Sequence, residues 1–303
     1  MSVAAPAALG RSATETIRAY VELTKPRIVL LLLITTVPAM ILAERGVPSG
    51  WLILATLLGG SVSAGGANAL NQYLDRDIDE VMARTRRRPL PNRRVTPRSA
   101  LVFGVVLGAA AFVFLAATVN LLAASLSLAA LLFYVFVYTR WLKRTTPQNI
   151  VIGGAAGAVP TLVGWAAVTG RVEWPAVVLF LIVFLWTPPH FWALSLRYER
   201  DYRAAGVPML PVVAGVHETT RQILVYAVLT AAAPFALLAV SPVGPVYLTA
   251  AAALGAWFVG DAVALHRSDG RPAAAMRMFR DSITYLGLLF AAVAADTVVR
   301  FGA

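Results

Sequence analysis

The stretch that decides the fold runs from Asn71 to Pro89 and reads NQYLDRDIDEVMARTRRRP. It places four acids and five arginines in 19 residues, directly after a run of small and apolar residues. The 303-residue chain around it is 59% hydrophobic and only 14% charged. Long uncharged runs of this kind suit a hydrocarbon environment, and a charge cluster at the end of one marks the boundary between membrane and water. The sequence therefore predicts an all-α, polytopic membrane protein.

Nine segments of the chain are apolar and long enough to cross a bilayer, whose ~30 Å hydrocarbon core takes about 20 helical residues. They are residues 28–43, 51–72, 99–119, 121–139, 150–169, 174–195, 222–240, 246–265 and 282–299. We therefore expect one nine-helix transmembrane domain over residues 28–303, preceded by a cytoplasmic N-terminal segment over residues 1–27.

Positive charge predicts the orientation of these helices, because lysine and arginine near span ends are retained on the cytoplasmic side. Of the 26 basic residues, 23 lie in the N-terminal segment or in the loops after even-numbered spans. The other three are Arg45, Arg171 and Arg300. We expect the N-terminus inside and the C-terminus outside. Residues 1–20 lack the apolar core of a cleaved secretory signal and are short for an organellar targeting peptide, which favours a bacterial inner membrane.

The formal charge of +11 follows from this topology and from anions held at the inner loops. It does not indicate nucleic-acid binding, because the basic residues are tied to span ends.

The absence of cysteine excludes disulfides, cysteine-ligated iron–sulfur clusters and thiolate ligation of haem. Histidine is therefore the candidate soft ligand, and the chain has three.

Three side chains of the opening stretch share one face of a helix. At about 100° per residue, Asn71, Asp75 and Asp79 point in similar directions, whereas Asp77 points to the other side. Oxygen ligands one turn apart suit Mg²⁺, which is held by one or two carboxylates together with substrate phosphates. The pattern predicts a magnesium site for a phosphorylated ligand, on a helix that continues beyond the apolar boundary.

The arginines after this face fit the same ligand, because a planar guanidinium matches phosphate oxygens. The nearest are Arg84, Arg86, Arg87 and Arg88. An alternative is that several of them, including Arg86 and Arg87, only anchor the helix ends at the cytoplasmic side. That alternative leaves the acids unexplained, since Asp and Glu contribute little to topology.

A second charged cluster follows the sixth span, in LWTPPHFWALSLRYERDYRAAGVPMLP from Leu185 to Pro211. The pair Pro188 and Pro189 predicts a break or kink at Thr187, where a new helix would begin with Thr187 as its cap. The residues expected on one face of the new helix are His190, Leu194, Arg197 and Asp201. Imidazole is the commonest protein ligand of haem iron, so His190 is a candidate haem ligand. The alternative is an interfacial histidine within an aromatic belt. His217 and His266 fall in predicted loops and are not expected to take a direct part.

Taken together, these motifs resemble a known family. Asn71-x-x-x-Asp75-x-x-x-Asp79, with YTRWLKRTTPQNIVIGG from Tyr138 to Gly154 and the segments PPHFWAL and DYRAAGVPMLP, is similar to the protohaem IX farnesyltransferases, also called haem O synthases. These form a branch of the UbiA superfamily of intramembrane prenyltransferases. The likeness runs from about Lys25 to beyond the ninth span.

The resemblance implies a helix bundle with a central cavity, in which farnesyl diphosphate transfers its farnesyl group to the vinyl group of haem B with addition of water. It implies that the catalytic and Mg²⁺-binding residues are Asn71, Asp75, Asp79 and Asp201. It also implies that the diphosphate is contacted by Arg84, Arg88, Lys143 and Arg144. Arg197 stands where the family's second acidic motif has its first acid, which puts a second complete metal site in doubt. Arg197 would instead contact the diphosphate or a haem propionate. His190 would bind haem, and haem A synthase is a partner expected from the family alone.

Three alternatives stay open from the residues. Another prenyltransferase of the same fold would act on a quinone-precursor aromatic acid or a lipid headgroup and share the metal site. A transporter would place ionisable residues near the bilayer middle, where the only candidates are Asp261 and Asp296, each close to an interface and expected to be structurally paired. A membrane scaffold would have no use for the acidic face.

Overall fold

The computed structural model describes residues 12–301, and within that range it consists of helices and connections without β-strands. The first eleven residues of the predicted N-terminal segment lie outside the described residues, as do residues 302 and 303. The helices are α1 (Ala13–Thr24), α2 (Pro26–Glu44), α3 (Gly50–Leu74), α4 (Arg76–Val81), α5 (Pro97–Thr118), α6 (Leu121–Leu132), α7 (Lys143–Thr145), α8 (Asn149–Thr169), α9 (Trp174–Arg197), α10 (Glu199–Ala204), α11 (Leu210–Ala232), α12 (Leu237–Val240), α13 (Pro245–Arg267) and α14 (Pro272–Phe301). A π-helical segment, Phe133–Leu142, joins α6 to α7, and a 3₁₀ turn, Ala233–Ala236, joins α11 to α12.

Polar caps in the sequence set several of the helix starts. Ser12 and Glu15 form a capping box at α1, and the side chains of Ser49, Thr96 and Asn120 accept hydrogen bonds from backbone N–H groups in the first turns of α3, α5 and α6. Such caps satisfy N–H groups that have no partner inside the helix.

The long helices close into a ring. Each of α2, α3, α5, α6, α8, α9, α11, α13 and α14 packs against the next along the chain, and α14 returns to pack against α2. Additional packing of α2 on α8 and of α9 on α14 crosses the middle of this ring. The charged connections therefore meet at one end of the molecule, where the acidic residues of the opening stretch lie.

Small residues allow the tightest crossings. A Cβ added to Gly66 of α3 would lie 2.9 Å from the carbonyl oxygen of Gly104 in α5, and one added to Gly164 of α8 would lie 2.6 Å from the carbonyl oxygen of Thr36 in α2. Only glycine permits these backbones to approach so closely, as is common where membrane helices cross.

Eight helices among the described residues are long and apolar enough to cross a membrane. The predicted first span, 28–43, falls within α2, which runs from Pro26 to Glu44, and α2 is not among these eight helices. The nine-span count therefore stays a prediction. The seventh and ninth spans were predicted to start about three turns after α11 and α14 begin. Charged residues within the first half of each helix, such as Glu218 and Arg221 in α11 and Arg277 in α14, interrupt the apolar run there.

The predicted break at Thr187 is also wrong. The helix α9 runs from Trp174 to Arg197 with Pro188 and Pro189 inside it. Thr187 does not cap a new helix, because its hydroxyl donates to the carbonyl oxygen of Val183, 2.9 Å away. Proline is tolerated inside membrane helices when packing and nearby hydroxyl groups support the surrounding turn.

Candidate active site

The acidic face, formed by Asn71, Asp75 and Asp79, lies at the junction of α3 and α4. The helix does not continue unbroken as predicted: α3 ends at Leu74, and Asp75 adopts φ −91° and ψ 6° before α4 begins. Two hydrogen bonds nevertheless carry the helical register across the break, from Asp75 N to Asn71 O (2.9 Å) and from Asp79 N to Asp75 O (2.8 Å). The three side chains stay together because of this continuity.

Burial separates this face from the other acid of the motif. The side chain of Asp75 is 0% exposed and that of Asp79 is 2% exposed, whereas that of Asp77 is 61% exposed. The prediction that Asp77 points away from the other two is confirmed. Buried carboxylates are retained only with compensating partners, so their surroundings identify what the site holds.

Asp75 keeps one carboxylate oxygen without a hydrogen bond. Its Oδ2 accepts from Lys143 Nζ at 2.5 Å and from Asn71 Nδ2 at 2.8 Å. Its Oδ1 is buried and has no hydrogen-bond partner, with the nearest guanidinium nitrogen, of Arg144, at 3.8 Å. An unpartnered buried oxygen of this kind is costly in a protein interior and is a suitable ligand for a hard cation.

Asp79 is held by a loop that folds back over it. Arg88 Nη1 donates to both carboxylate oxygens of Asp79, at 2.9 and 2.8 Å, and the Thr85 hydroxyl donates to the Asp79 carbonyl at 3.2 Å. The loop after α4 therefore brings Arg88 to the acidic face, as predicted for a cation that contacts an anionic ligand.

Arg144 binds the exposed acid. Its two terminal nitrogens donate to the carboxylate of Asp77, both at 2.7 Å, and one of them also donates to the carbonyl of Leu74 at 2.9 Å. Hydrogen bonding to Arg144 lowers the pKa of Asp77 to about 2. Asp77, which the helical pattern placed outside the site, thus fixes one of the predicted diphosphate contacts beside Asp75.

The π-helical segment places two further groups at the acidic face. Thr139 donates to the carbonyl of Tyr134 at 2.8 Å and accepts from Asn71 Nδ2 at 3.1 Å. Lys143 follows one turn later, immediately after the segment. A π-helical turn holds more residues than an α-helical turn and is frequent at functional sites. Here it sets the rotation that carries Thr139 and Lys143 toward α3.

Lys25 completes the cationic surroundings from the other end of the chain. It adopts φ 51° between α1 and α2, and its Nζ donates to Asn71 Oδ1 at 2.8 Å. Asn68 and Gln72 hold the end of α1 in place by donating to the carbonyls of Thr24 (3.0 Å) and Leu23 (2.9 Å). Burial, with the nearby charges of Arg88 and Lys143, holds the pKa of the Lys25 ammonium well below its usual value.

The second predicted cluster is only partly assembled. The expected shared helical face of His190, Arg197 and Asp201 is wrong, because α9 ends at Arg197 and Asp201 lies on the separate helix α10. Asp201 approaches the first cluster, where its Oδ2 accepts from the backbone N–H of Arg84 at 3.2 Å. The guanidinium groups of Arg84 and Arg197 lie 5.5 and 6.0 Å from the centre of the Tyr198 ring, and Arg197 is exposed. Within residues 12–301, no group of three or more acidic or histidine side chains is arranged so that it could hold a metal ion by itself.

His190 lies between α9 and α14. Its ring is stacked between Trp186 (4.2 Å between ring centroids) and Phe279 (4.7 Å). Its Nδ1 is 2.7 Å from the hydroxyl oxygen of Ser282, and that hydroxyl donates to the Phe279 carbonyl. The contact with Ser282 engages Nδ1 and, together with the two stacked rings, fixes the orientation of the imidazole.

An apolar cavity of about 170 Å³ begins one turn from the acidic face, between α2, α3, α6 and α8. Asn68 and Tyr134 line it at the polar end, and small or aliphatic residues such as Ala67, Leu131 and Val163 line the remainder. His190 does not line this cavity. The arrangement suits a ligand with an anionic head at the acidic face and an apolar tail between the helices.

Comparison with known proteins agrees with this geometry. A model of the UbiA prenyltransferase family matches residues 32–283. The chain is 56% identical to the protoheme IX farnesyltransferase of Parafrankia sp. (strain EAN1pec), over 95% of this chain and 92% of the relative. It is 52% identical to that of Mycobacterium avium (strain 104), over 94% and 92%. The chain belongs to the UbiA prenyltransferase family, in its protohaem IX farnesyltransferase branch.

Solved structures share the fold of this UbiA-family chain. A structure concerning digeranylgeranylglyceryl phosphate synthase superposes with a TM-score of 0.76 at 19% identity, covering 94% of this chain and 99% of the other. A UbiA homologue from Archaeoglobus fulgidus, bound to GPP and Mg²⁺, gives a TM-score of 0.67 at 16% identity, covering 91% and 99%. The predicted all-α, UbiA-type fold is confirmed.

Two groups at the acidic face of this UbiA-family chain were not predicted from the sequence. Thr139 gave no signal, because a π-helical rotation cannot be read from hydropathy or spacing. Lys25 gave a weak one, since a Lys-Pro pair directly before an apolar helix places a cation at a fixed helix start.

Proposed function

We propose that this chain transfers a farnesyl group from farnesyl diphosphate to the vinyl group of haem B, with addition of water, giving haem O and diphosphate. The observation that carries the proposal is the buried Asp75 carboxylate, with an unpartnered oxygen, surrounded by cations at the mouth of an apolar cavity. The high identity to proteins named protoheme IX farnesyltransferase supports haem as the acceptor.

The charge balance of the site favours an anionic ligand. Two buried carboxylates, Asp75 and Asp79, face the cations of Lys25, Arg88 and Lys143, and Arg144 lies at their edge. A cation whose pKa is lowered by burial and by like charges is stabilised when an anion binds beside it. Diphosphate provides such an anion, with oxygens that match both guanidinium and ammonium donors.

The acidic face fits Mg²⁺ because its donors are oxygens and one buried oxygen of Asp75 is unpartnered. Asn71, Asp75 and Asp79 would hold the ion, with Asp201 as the one acid offered by the second motif. When bound, Mg²⁺ supplies charge neutralisation to the departing diphosphate. Arg88 and Lys143 contact the acidic face, whereas Arg197 is exposed. A diphosphate contact is therefore better supported for Arg88 and Lys143 than for Arg197.

The cationic residues of the chain stabilise negative charge as the bond between the farnesyl carbon and diphosphate oxygen breaks. The apolar cavity holds the farnesyl chain and keeps bulk water from the allylic cation. The electron pair of the haem vinyl group then forms the new carbon–carbon bond, and one water molecule adds to the porphyrin side to give a hydroxyethylfarnesyl arm.

For the acceptor, we propose that His190 contacts haem, supported by the fixed orientation of its imidazole and by the flat aromatic surfaces of Trp186 and Phe279 beside it. The basic residues near the acidic face support a site that opens to the cytoplasm, in a bacterial inner membrane. An apolar haem product also fits delivery to another membrane protein, for which haem A synthase is the partner we propose.

An acceptor panel tests this function. Purified protein in nanodiscs is given labelled farnesyl diphosphate and Mg²⁺ with haem B, a phenolic acid or a lipid acceptor, each in a separate reaction. We expect label in the haem fraction alone. Label in the phenolic or lipid fraction would retain the prenyltransferase activity and overturn the acceptor, and no transfer to any acceptor by folded protein would overturn both.

A further inference from the structure

Two histidines outside the candidate active site meet at the same end of the molecule. His217 lies in α11 and His266 near the end of α13, and their ring centroids are 5.1 Å apart with the ring planes at 46°. His217 is exposed and His266 is half-buried. No residue of the acidic face takes part in this pair, and prenyl transfer assigns it no role.

A chain of polar contacts orients the ring of His266. The Thr220 hydroxyl donates to the carbonyl of His217 at 2.9 Å, and the Thr220 oxygen lies 2.9 Å from His266 Nδ1. A histidine that ligates a metal is commonly fixed in this way through its other ring nitrogen, which here is Nε2.

The backbone holds the pair in place. Gly215 adopts φ 78° and ψ 176°, which interrupts α11 and restarts it just before His217. Gly270, in the connection after α13, packs so closely on Val216 that an added Cβ would lie 2.5 Å from Val216 Cγ1. Gly215 and Gly270 thus fix the backbone near His217 and His266, and this keeps the two imidazoles in one arrangement.

The carboxylate next to His217 is hydrogen-bonded to other side chains. It belongs to Glu218, which accepts hydrogen bonds from Arg221 and Gln222 at 2.7 to 2.8 Å. Two imidazoles with open positions for water suit a borderline divalent cation and do not suit Mg²⁺, which prefers oxygen.

We propose that His217 and His266 form a two-imidazole site for a divalent transition-metal cation such as Cu²⁺ or Zn²⁺, with Thr220 as the positioning residue. The site links α11 to α13, so bound metal stabilises their contact. This inference does not depend on the proposed prenyl transfer.

The chain allows a clean test, because it has only three imidazole side chains and no cysteine. Protein purified without a polyhistidine tag receives one equivalent of Cu²⁺, and pulsed electron paramagnetic resonance counts coordinated imidazoles by their remote nitrogen. We expect two imidazoles in the unaltered chain, one in His217→Ala or His266→Ala, and two in the control His190→Gln. Lysine amines at the acidic face lack a remote nitrogen and do not contribute.

A second measurement keeps the proposal testable if one of these variants does not fold. His217 is exposed, so His217→Ala should fold, and isothermal titration with Zn²⁺ should show its binding lost. Thr220→Val should weaken Zn²⁺ binding roughly tenfold or more while keeping two imidazole ligands. Unchanged Cu²⁺ spectra and Zn²⁺ affinity in His217→Ala, or fewer than two imidazoles in the unaltered chain, would overturn the proposal.

Discussion

At the residue scale, function rests on where each carboxylate points. A helical period of about 100° per residue separated Asp75 and Asp79 from Asp77 in the sequence alone, and the structure shows the same separation by burial. The partners of these acids could not be predicted, because Lys25, Lys143 and Thr139 arrive from distant parts of the chain.

Asp75→Asn should reduce prenyl transfer by about a hundredfold or more, since it removes the charge that holds Mg²⁺ while keeping the side-chain volume. The steady-state rate of haem O formation measures this. Glu80→Gln is the control, an exposed acid of the same motif that does not contact the predicted site residues, and should retain most of the activity. Equal losses in the two variants would contradict the role given to the buried face.

Lys25→Asn should raise the KM for farnesyl diphosphate with a smaller change in kcat, because it removes a cation from the anion site. Asparagine tolerates the left-handed backbone at this position, so the turn between α1 and α2 is retained. Arg45→Asn is the control: Arg45 has φ 57° at the opposite end of α2. A KM unchanged in Lys25→Asn, or raised equally in both, would contradict a diphosphate contact.

At the scale of elements, most helices follow from hydropathy and caps, and the exceptions have identifiable causes. Charged residues in the first half of α11 and α14 conceal where these helices begin, and the Pro-Pro pair is accommodated inside α9. Sequence also predicted structural pairing for the two acids within spans. Asp261 does pair with Arg277 at 2.7 Å, and Asp296 accepts from Gly244 N (2.7 Å) and Tyr247 N (3.2 Å) at the start of α13.

Asp296→Ala should destabilise the fold by about 2 kcal/mol, because two buried N–H groups at the start of α13 lose their acceptor. Thermal unfolding in detergent should show a lower midpoint, while the residual folded protein keeps its specific activity. Glu44→Ala, an exposed acid at the same end, should leave the midpoint unchanged. A midpoint unaffected by Asp296→Ala would show that these hydrogen bonds contribute little.

At the scale of the whole molecule, the ring of helices gathers the charged connections at one end. The all-α membrane class was predictable because apolar runs of this length usually form membrane-spanning helices. The packing of α2 on α8 and of α9 on α14 could not be predicted, because spans of similar hydropathy do not reveal which helices they pack against.

Orientation is testable because the chain contains no cysteine. Single cysteines at the exposed positions Val47, between α2 and α3, and Arg200, in α10, mark the two ends of the bundle. A membrane-impermeant maleimide applied to intact spheroplasts should label Val47→Cys and should label Arg200→Cys only after lysis. The reverse pattern would place the acidic face outside the cell.

The central claim is most directly tested by the mass of haem recovered after incubation of the protein in nanodiscs with haem B, farnesyl diphosphate and Mg²⁺. We predict a haem heavier by one farnesyl group and one water, formed with Mg²⁺ and absent when a chelator is added. Haem B of unchanged mass from folded, Mg²⁺-supplied protein would contradict the account.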